Sequence, residues 1–261
     1  MVGQVRVVAE PPLGWIVFDH AERRNALSVS MWEAIPDAAA ALSSDPAVRV
    51  VILRGAGETA FVSGADISQF ERARSGEEGA GAYERLTDRA FRALADLDLP
   101  VIAMIHGFCI GGGLAVALTA DLRIAAEDAL LGIPAARLGL GYGIDGISKL
   151  VGLVGPSRAQ EILFTARRFA APEALRMGLL NQVVPGDRLE AYVRETALGI
   201  AGNAPLTLRS VKRVVRMLAQ DPARRDAAGA EASIRACFES EDYREGVRAF
   251  LEKRPPRFEG R

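Results

Sequence analysis

Only two cysteines and two histidines occur in this chain. Cys109 and Cys237 stand far apart with no C-x-x-C spacing, and His20 and His106 form no H-x-x-x-H pair. The thiol and imidazole sets of a zinc or iron–sulfur site are therefore missing. The two thiols read as buried and reduced, as expected of a cytoplasmic protein. Charge of one sign is lacking too: 32 Lys and Arg against 33 Asp and Glu leave a formal net charge of -1. No overall field draws nucleic acid or an anionic membrane, so any phosphate must be met by local arginines. The first fifteen residues lack a basic segment followed by an apolar one, and no secretory leader is expected. One uncharged run, Leu99 to Ala120, has the 22 residues of a membrane span. Pro100, His106 and four glycines interrupt it and Asp98 and Asp121 flank it, so it reads as a buried strand followed by a buried helix.

What remains is an ordinary globular composition, 49% hydrophobic and 25% charged. At 261 residues the chain is near the upper limit for one core. Val5–Ala9 and Trp15–Phe18 are β-rich runs separated by the turn signal Pro11-Pro12-Leu13-Gly14. Ser30-Met31-Trp32-Glu33 fits a capping box that opens a helix to about Leu42, ended by Asp45-Pro46 before a buried strand over Val48–Leu53. Val101–Ile105, a helix from Gly112 and Leu122–Ala125 repeat the strand–helix–strand order. The charged, glycine-rich stretch from Glu71 to Gly81 reads as a mobile loop before a helix over Tyr83–Asp96. Helical segments then begin at Pro156, Pro172, Asp187, Pro205 and about Arg224. The expected class is α/β, with a core over residues 1–200 and a helical region over 201–261.

Two segments carry the chemistry. His106-Gly107-Phe108-Cys109-Ile110-Gly111-Gly112-Gly113-Leu114-Ala115 and Phe61-Val62-Ser63-Gly64-Ala65-Asp66-Ile67 each follow an apolar, strand-like run. Glycines at a helix start let backbone N–H groups approach a ligand atom closely. Two such donors aimed at one carbonyl oxygen make an oxyanion hole. The bland alternatives are a tight turn at Gly64-Ala65 and a close helix–strand contact at Gly111-Gly112-Gly113. A dinucleotide-binding reading fails because the glycines do not fit G-x-G-x-x-G.

At these residues the chain resembles the enoyl-CoA hydratase/isomerase (crotonase) superfamily. The resemblance extends to Arg23-Arg24-Asn25-Ala26-Leu27-Ser28, Ala120-Asp121-Leu122-Arg123-Ile124-Ala125, Ala174–Val184 and Glu245–Arg254, in order over about residues 5 to 258. It implies a spiral of ββα turns, C-terminal helices that mediate a homotrimer or a dimer of trimers, and an acyl-CoA thioester as substrate. No cofactor is implied beyond the CoA moiety itself. Ala65 and Gly112 would supply the two oxyanion N–H groups. Arg24 would lie near the CoA phosphates, and Ala26, Ser63, Ala65, Asp66 and Ile67 near adenine and pantetheine. Phe250 and Lys253 match tail positions that reach CoA or a neighbouring subunit, although an ordinary amphipathic helix end explains them equally well. Asp66 fits a structural loop carboxylate better than a base. His106 fits a satisfied core histidine.

Two positions depart from the family. Its hydratases carry one catalytic glutamate two residues after the third glycine and another after the proline of a G-x-P-E segment. Here these positions are Ala115 and Ala135. Methyl groups cannot position water or carry a proton, so standard two-glutamate hydration is not expected. Tyr142, in Leu140–Gly146, resembles the active-site tyrosine of the methylmalonyl-CoA decarboxylase subgroup, which has a histidine where this chain has Ala65. Tyr142 and Asp145 are the candidates for proton transfer, with helix capping as the alternative for Asp145. Arg137 suits a substrate carboxylate or a surface ion pair. The expected function is stabilisation of a thioester enolate. Malonyl-type decarboxylation and a non-catalytic acyl-CoA-binding paralogue stand as alternatives.

Overall fold

A computed structural model describes residues 3–69 and 76–261, with the backbone alone for residues 67, 76–78 and 80. Strands β1 (Gln4–Glu10) and β2 (Leu13–Asp19) form an antiparallel hairpin. Helix α1 (Val29–Ser44) follows, then β3 (Val50–Gly55) and β4 (Ala60–Val62). Helix α2 (Gly76–Ala95) leads to β5 (Val101–Ile105), β6 (Phe108–Ile110) and α3 (Gly112–Ala117). Strands β7 (Leu122–Ala126) and β8 (Leu130–Gly132) precede α4 (Ile144–Thr165) and β9 (Phe169–Ala170). The chain ends with α5 (Ala171–Arg176), β10 (Gln182–Val184), α6 (Leu189–Ala201), α7 (Pro205–Leu218), α8 (Ala227–Glu239) and α9 (Glu241–Leu251).

The strands divide between a six-stranded sheet, β1-β2-β3-β5-β7-β10, and a four-stranded sheet, β4-β6-β8-β9. Each successive pair (β3 and β4, β5 and β6, β7 and β8) gives one strand to each sheet, paired in parallel with the pair before. This is the expected spiral. Parallel strands covered on both faces read as continuous apolar runs, and Val50 to Leu53 and Val101 to Ile105 are wholly buried. Alternate residues serve two cores: Ile16, Phe18 and Leu53 pack with Trp32 and Phe61, while Trp15, Val17 and Ile52 pack with Val193 and Ala197 of α6.

Several local expectations shift. Helix α1 is capped by Ser28, whose Oγ accepts from Met31 N, so the cap lies two residues before the expected Ser30. Gly76 to Gly81 are helical rather than loop; residues 70–75 of the stretch read as mobile lie outside the described residues. The expected start at Pro156 is met, however: Gly155, with φ 76°, breaks α4 into two helical segments, and the second begins at Pro156. The uncharged run Leu99–Ala120 is divided among β5, β6 and α3, and among the described residues no helix is long and apolar enough to cross a membrane. Helix α7 is tied to the core by Lys212 Nζ, which donates to Leu99 O and Asp121 Oδ2, each at 2.6 Å.

Candidate active site

Parallel pairing of β4 with β6 (Ala60 with Phe108, Val62 with Cys109) makes the segments Ser63–Asp66 and Gly111–Gly113 leave the sheet side by side. Gly111 turns the chain with φ 55° and ψ -116°, a conformation that side-chain-bearing residues rarely adopt. Its N–H donates to Gly132 O at 2.8 Å. A side chain at Gly113 would collide with the Val62 carbonyl, so α3 can start this close to β4 only with glycine there. Gly112 is the first residue of α3, and its N–H is one of the donors that a helix start leaves without an intrahelical acceptor.

The opposite wall is equally fixed. Leu27 N donates to Gly64 O at 2.8 Å and Asp66 N donates to Leu27 O at 2.9 Å. This bridge turns the intervening N–H of Ala65 away from Leu27. The two segments approach closely: a Cβ built on Gly112 would stand 3.6 Å from Ala65 N. The nearest side chain to that point is Trp32, with Cζ2 at 3.3 Å. Trp32 is buried, donates Nε1–H to the Tyr83 hydroxyl at 3.1 Å and meets Phe91 edge-on at 5.2 Å. Sequence reasoning missed Trp32 and Tyr83 as part of this site, because their contact joins two helices 51 residues apart.

The segment before α1 is held by polar contacts. Asn25 Nδ2 donates to the Ala56 and Ala60 carbonyls, and His20 Nδ1 lies 3.0 Å from the carbonyl of buried Ala26. Ser63 is clamped to this segment, its N–H on Arg24 O and its hydroxyl on Arg23 O. Arg24, with φ 52°, is exposed and lies over the Phe108 ring at 4.9 Å. Asp66 is buried and accepts from Ser68 N, Ser68 Oγ and Arg23 Nη1. Burial opposes its ionisation, but the Ser68 hydrogen bonds and the Arg23 guanidinium outweigh it and hold the carboxyl below the usual carboxylate range. Asp66 is thus occupied as a loop carboxylate, and Arg23 is ion-paired rather than simply solvated. The side chain of Ile67 lies outside the described residues.

Ala115 on α3 and Ala135 after β8 are both half-buried. The Tyr142 ring packs on the core that includes Cys109, as Ala135 does, and its hydroxyl is buried with no hydrogen-bond partner in the described structure. Burial, with the neighbouring Cys109 thiol, pushes this hydroxyl up to about 12, so it stays protonated near neutral pH. Asp145 is exposed in the first turn of α4. The N-cap is Gly143 and makes no side-chain cap, so Asp145 neither caps the helix nor shares the burial of Tyr142. His106 is buried, yet its Nε2 has no partner, so it is less satisfied than expected. Arg137 is exposed. Phe250 and Lys253 lie on the exposed side of α9 and the turn after it, a helix that packs on α8. Among the described residues no cluster of His, Cys, Asp or Glu is arranged to hold a metal ion.

Known proteins share this architecture and sequence. Residues 11–261 match the family model for enoyl-CoA hydratase/isomerase. A crotonyl-CoA hydratase of Syntrophomonas wolfei is 35% identical over 95% of each chain. A carnitinyl-CoA dehydratase of Salmonella enteritidis is 34% identical over 92% of each chain. The crystal structure of an enoyl-CoA hydratase from Bacillus anthracis superimposes with a TM-score of 0.90 at 34% identity, covering 99% of this chain and all of the other. With the paired sheets, the glycine-lined start of α3 and these likenesses along almost its whole length, the chain belongs to the enoyl-CoA hydratase/isomerase family.

Proposed function

We propose that the protein is an acyl-CoA-processing enzyme that holds the enolate oxygen of a thioester between the backbone N–H groups of Ala65 and Gly112. The observation that carries this reading is the 3.6 Å approach of the Gly112 Cβ direction to Ala65 N, on a framework fixed by β4–β6 pairing and the Leu27 bridge. Two fixed donors stabilise charge that grows on the oxygen during reaction and cost no reorganisation when it appears. The relatives named as hydratases and dehydratases act on CoA thioesters, which supports the substrate class.

Hydration in the manner of the two-glutamate enzymes does not suit this pocket, since Ala115 and Ala135 offer no proton carrier. One observation favours a second reading, decarboxylation of a malonyl-type thioester. The Tyr142 hydroxyl is a buried neutral group without a hydrogen-bond partner among the described residues. In that reaction the bond to the carboxylate breaks, its electron pair enters the thioester enolate, CO₂ leaves and a proton then adds to the α-carbon. No general base is needed to form the enolate.

Incubation with enoyl-, 3-hydroxyacyl-, methylmalonyl- and aromatic CoA esters, followed by mass detection of products, tests both readings. Crotonyl-CoA should not be hydrated at ordinary enzymatic rates of about 10 s⁻¹ or more. Such turnover would overturn the reading of Ala115 and Ala135. Binding of esters with no product from any of them would identify a non-catalytic acyl-CoA-binding protein.

A further inference from the structure

Asn25 is buried and carries φ 57°, directly after Arg24 at φ 52°. Asparagine tolerates this left-handed conformation better than most residues with a side chain. Its N–H donates to His20 O at 2.9 Å and its Oδ1 accepts from His20 N at 3.0 Å. Its Nδ2 donates to Ala56 O at 3.0 Å and to Ala60 O at 2.7 Å. These partners settle the orientation of the amide, because carbonyls can only accept and an N–H can only donate. Both amide protons and the amide oxygen are thereby engaged inside the protein. A side chain on Gly55 would collide with the Ala60 and Phe61 carbonyls and with Asn25 Nδ2, so glycine keeps open the space in which the amide reaches β4.

The same bonds complete a frame around Ala65. Ala60 opens β4, and the chain leaves that strand after Val62 toward Ala65. The Asn25 amide holds the entry to β4, while the main chain on either side of Asn25 holds the exit. Arg24 O accepts from Ser63 N, Leu27 N donates to Gly64 O, and Leu27 O accepts from Asp66 N. Leu27 thus orients the Ala65 N–H, and Asn25, two residues earlier, places Leu27 on β4. Without the amide, the 24–27 segment would keep its grip on residues 63–66 but lose its side-chain anchor on the strand. The two could then tilt together relative to Gly112, which is held through the pairing of β6 with β4. A buried polar network with every group satisfied is stiff, and an oxyanion donor is effective when its direction is fixed before charge develops.

We infer that Asn25 is the positioning residue of this wall: its side-chain amide sets the direction of the Ala65 N–H against that of Gly112. The inference rests on the oxyanion-hole reading above and extends it to a residue that has no amide hydrogen left for a ligand. Asn25 acts through Leu27 and β4, not on the thioester.

Infrared difference spectroscopy of bound acetyl-CoA, with a heavy-carbon label at the acetyl carbonyl, tests this, since hydrogen bonds that polarise the carbonyl lower its stretch. The stretch should lie lower on the parent protein than for free acetyl-CoA. Asn25→Gly leaves the left-handed conformation available and removes all three side-chain bonds. Asn25→Asp keeps the bond from His20 N and sets an oxygen against the Ala56 and Ala60 carbonyls. Each should roughly halve the shift, because one of two donors loses its aim, while calorimetry gives acetyl-CoA affinity near parent. Lys212→Met breaks the α7 tie to Leu99 O and Asp121 without touching the Asn25 bonds, and should keep the full shift. A parent-sized shift in either Asn25 variant, with acetyl-CoA bound and circular dichroism unchanged, would overturn the inference and leave the hole reading standing. An equal loss in Lys212→Met would also overturn it, since the effect would then belong to overall stability. A parent that binds acetyl-CoA without lowering the stretch would overturn the reading of Ala65 and Gly112 itself.

Discussion

Trp32 donates its indole N–H to the Tyr83 hydroxyl at 3.1 Å, and the same indole forms the side-chain wall next to Gly112. A contact between α1 and α2 therefore fixes the side chain that stands beside Gly112. Tyr83→Phe removes the acceptor and leaves a buried donor unsatisfied. It should lower stability by about 1–3 kcal/mol, read from the urea midpoint, and reduce turnover more than ligand affinity. An unchanged midpoint would show that the indole finds another acceptor.

Gly112→Pro deletes one backbone donor at a helix position where proline is well tolerated, the first of α3. Turnover should fall by about 10² to 10³ while CoA binding stays near parent, because an enolate oxygen depends on this donor more than a ground-state carbonyl does. Steady-state kinetics with calorimetry checks it, on protein whose circular dichroism matches the parent.

Tyr142 and Asp145 separate cleanly by environment. Tyr142→Phe should lower kcat by about 10² to 10⁴ with little change in CoA affinity, as expected for loss of a proton-transfer group. Asp145→Asn should be close to silent, because the side chain is exposed and makes no cap. Equal loss in both variants would mean that Asp145 approaches the substrate on binding. Ala115→Glu combined with Ala135→Glu gives the complementary measurement, in which crotonyl-CoA hydration should appear.

The buried His106 gives stability a defined pH dependence. Burial, with the Arg54 charge nearby, holds its imidazole below the ordinary value of 6.5, against the opposing pull of Glu58 and Asp128. The folded protein therefore keeps His106 neutral where the unfolded chain already binds a proton. This contribution is fully present above about pH 6.5 and is lost as pH falls toward the lowered folded value. Urea midpoints near neutrality and about one unit below 6.5 should differ in that direction. His106→Asn should reduce the difference.

Helices α7 to α9 present Val211, Val215, Leu218, Phe238, Phe250 and Leu251 to solvent, with Phe250 83% and Leu251 75% exposed. Self-association through this surface would cover it. Light scattering should give the mass of a trimer or a dimer of trimers, and Val215→Asp with Leu251→Asp should shift it to smaller species. A monomer at micromolar concentration would count against this arrangement.

Much of the core was legible because its signals are local. Apolar runs placed β5, after Pro100, and β7, between Asp121 and Glu127, within a residue, and three consecutive glycines marked the start of α3. Local signals misled where two polar residues competed for one cap: Ser28 and Ser30 both fit, and the hydrogen bond to Met31 N selects Ser28. The start of α2 was missed because glycine and charge in Gly76–Gly81 suggest a loop when tertiary contacts are unknown. Around the site, the Ala65 and Gly112 segments could be named from their motifs, but Trp32 and Tyr83 are joined only by the path of the spiral. Asp145 and Tyr142 lie three residues apart with opposite exposure, which depends on how α4 packs and on no feature of the sequence between them.

The pairing of β4 with β6 acts as a caliper on the gap between Ser63–Asp66 and Gly111–Gly113. Because Ala60 stands against Phe108 and Val62 against Cys109, the distance between the Ala65 and Gly112 donors is set by one strand spacing and two short exits. The length of chain that joins them does not enter. An insertion in that joining chain, beyond the bonded segment Ser63–Asp66 and before β5, would leave the separation untouched as long as both exits keep their bonds. The joining chain can thus vary in length, whereas a single extra residue inside Ala60–Val62 would displace one segment relative to the other.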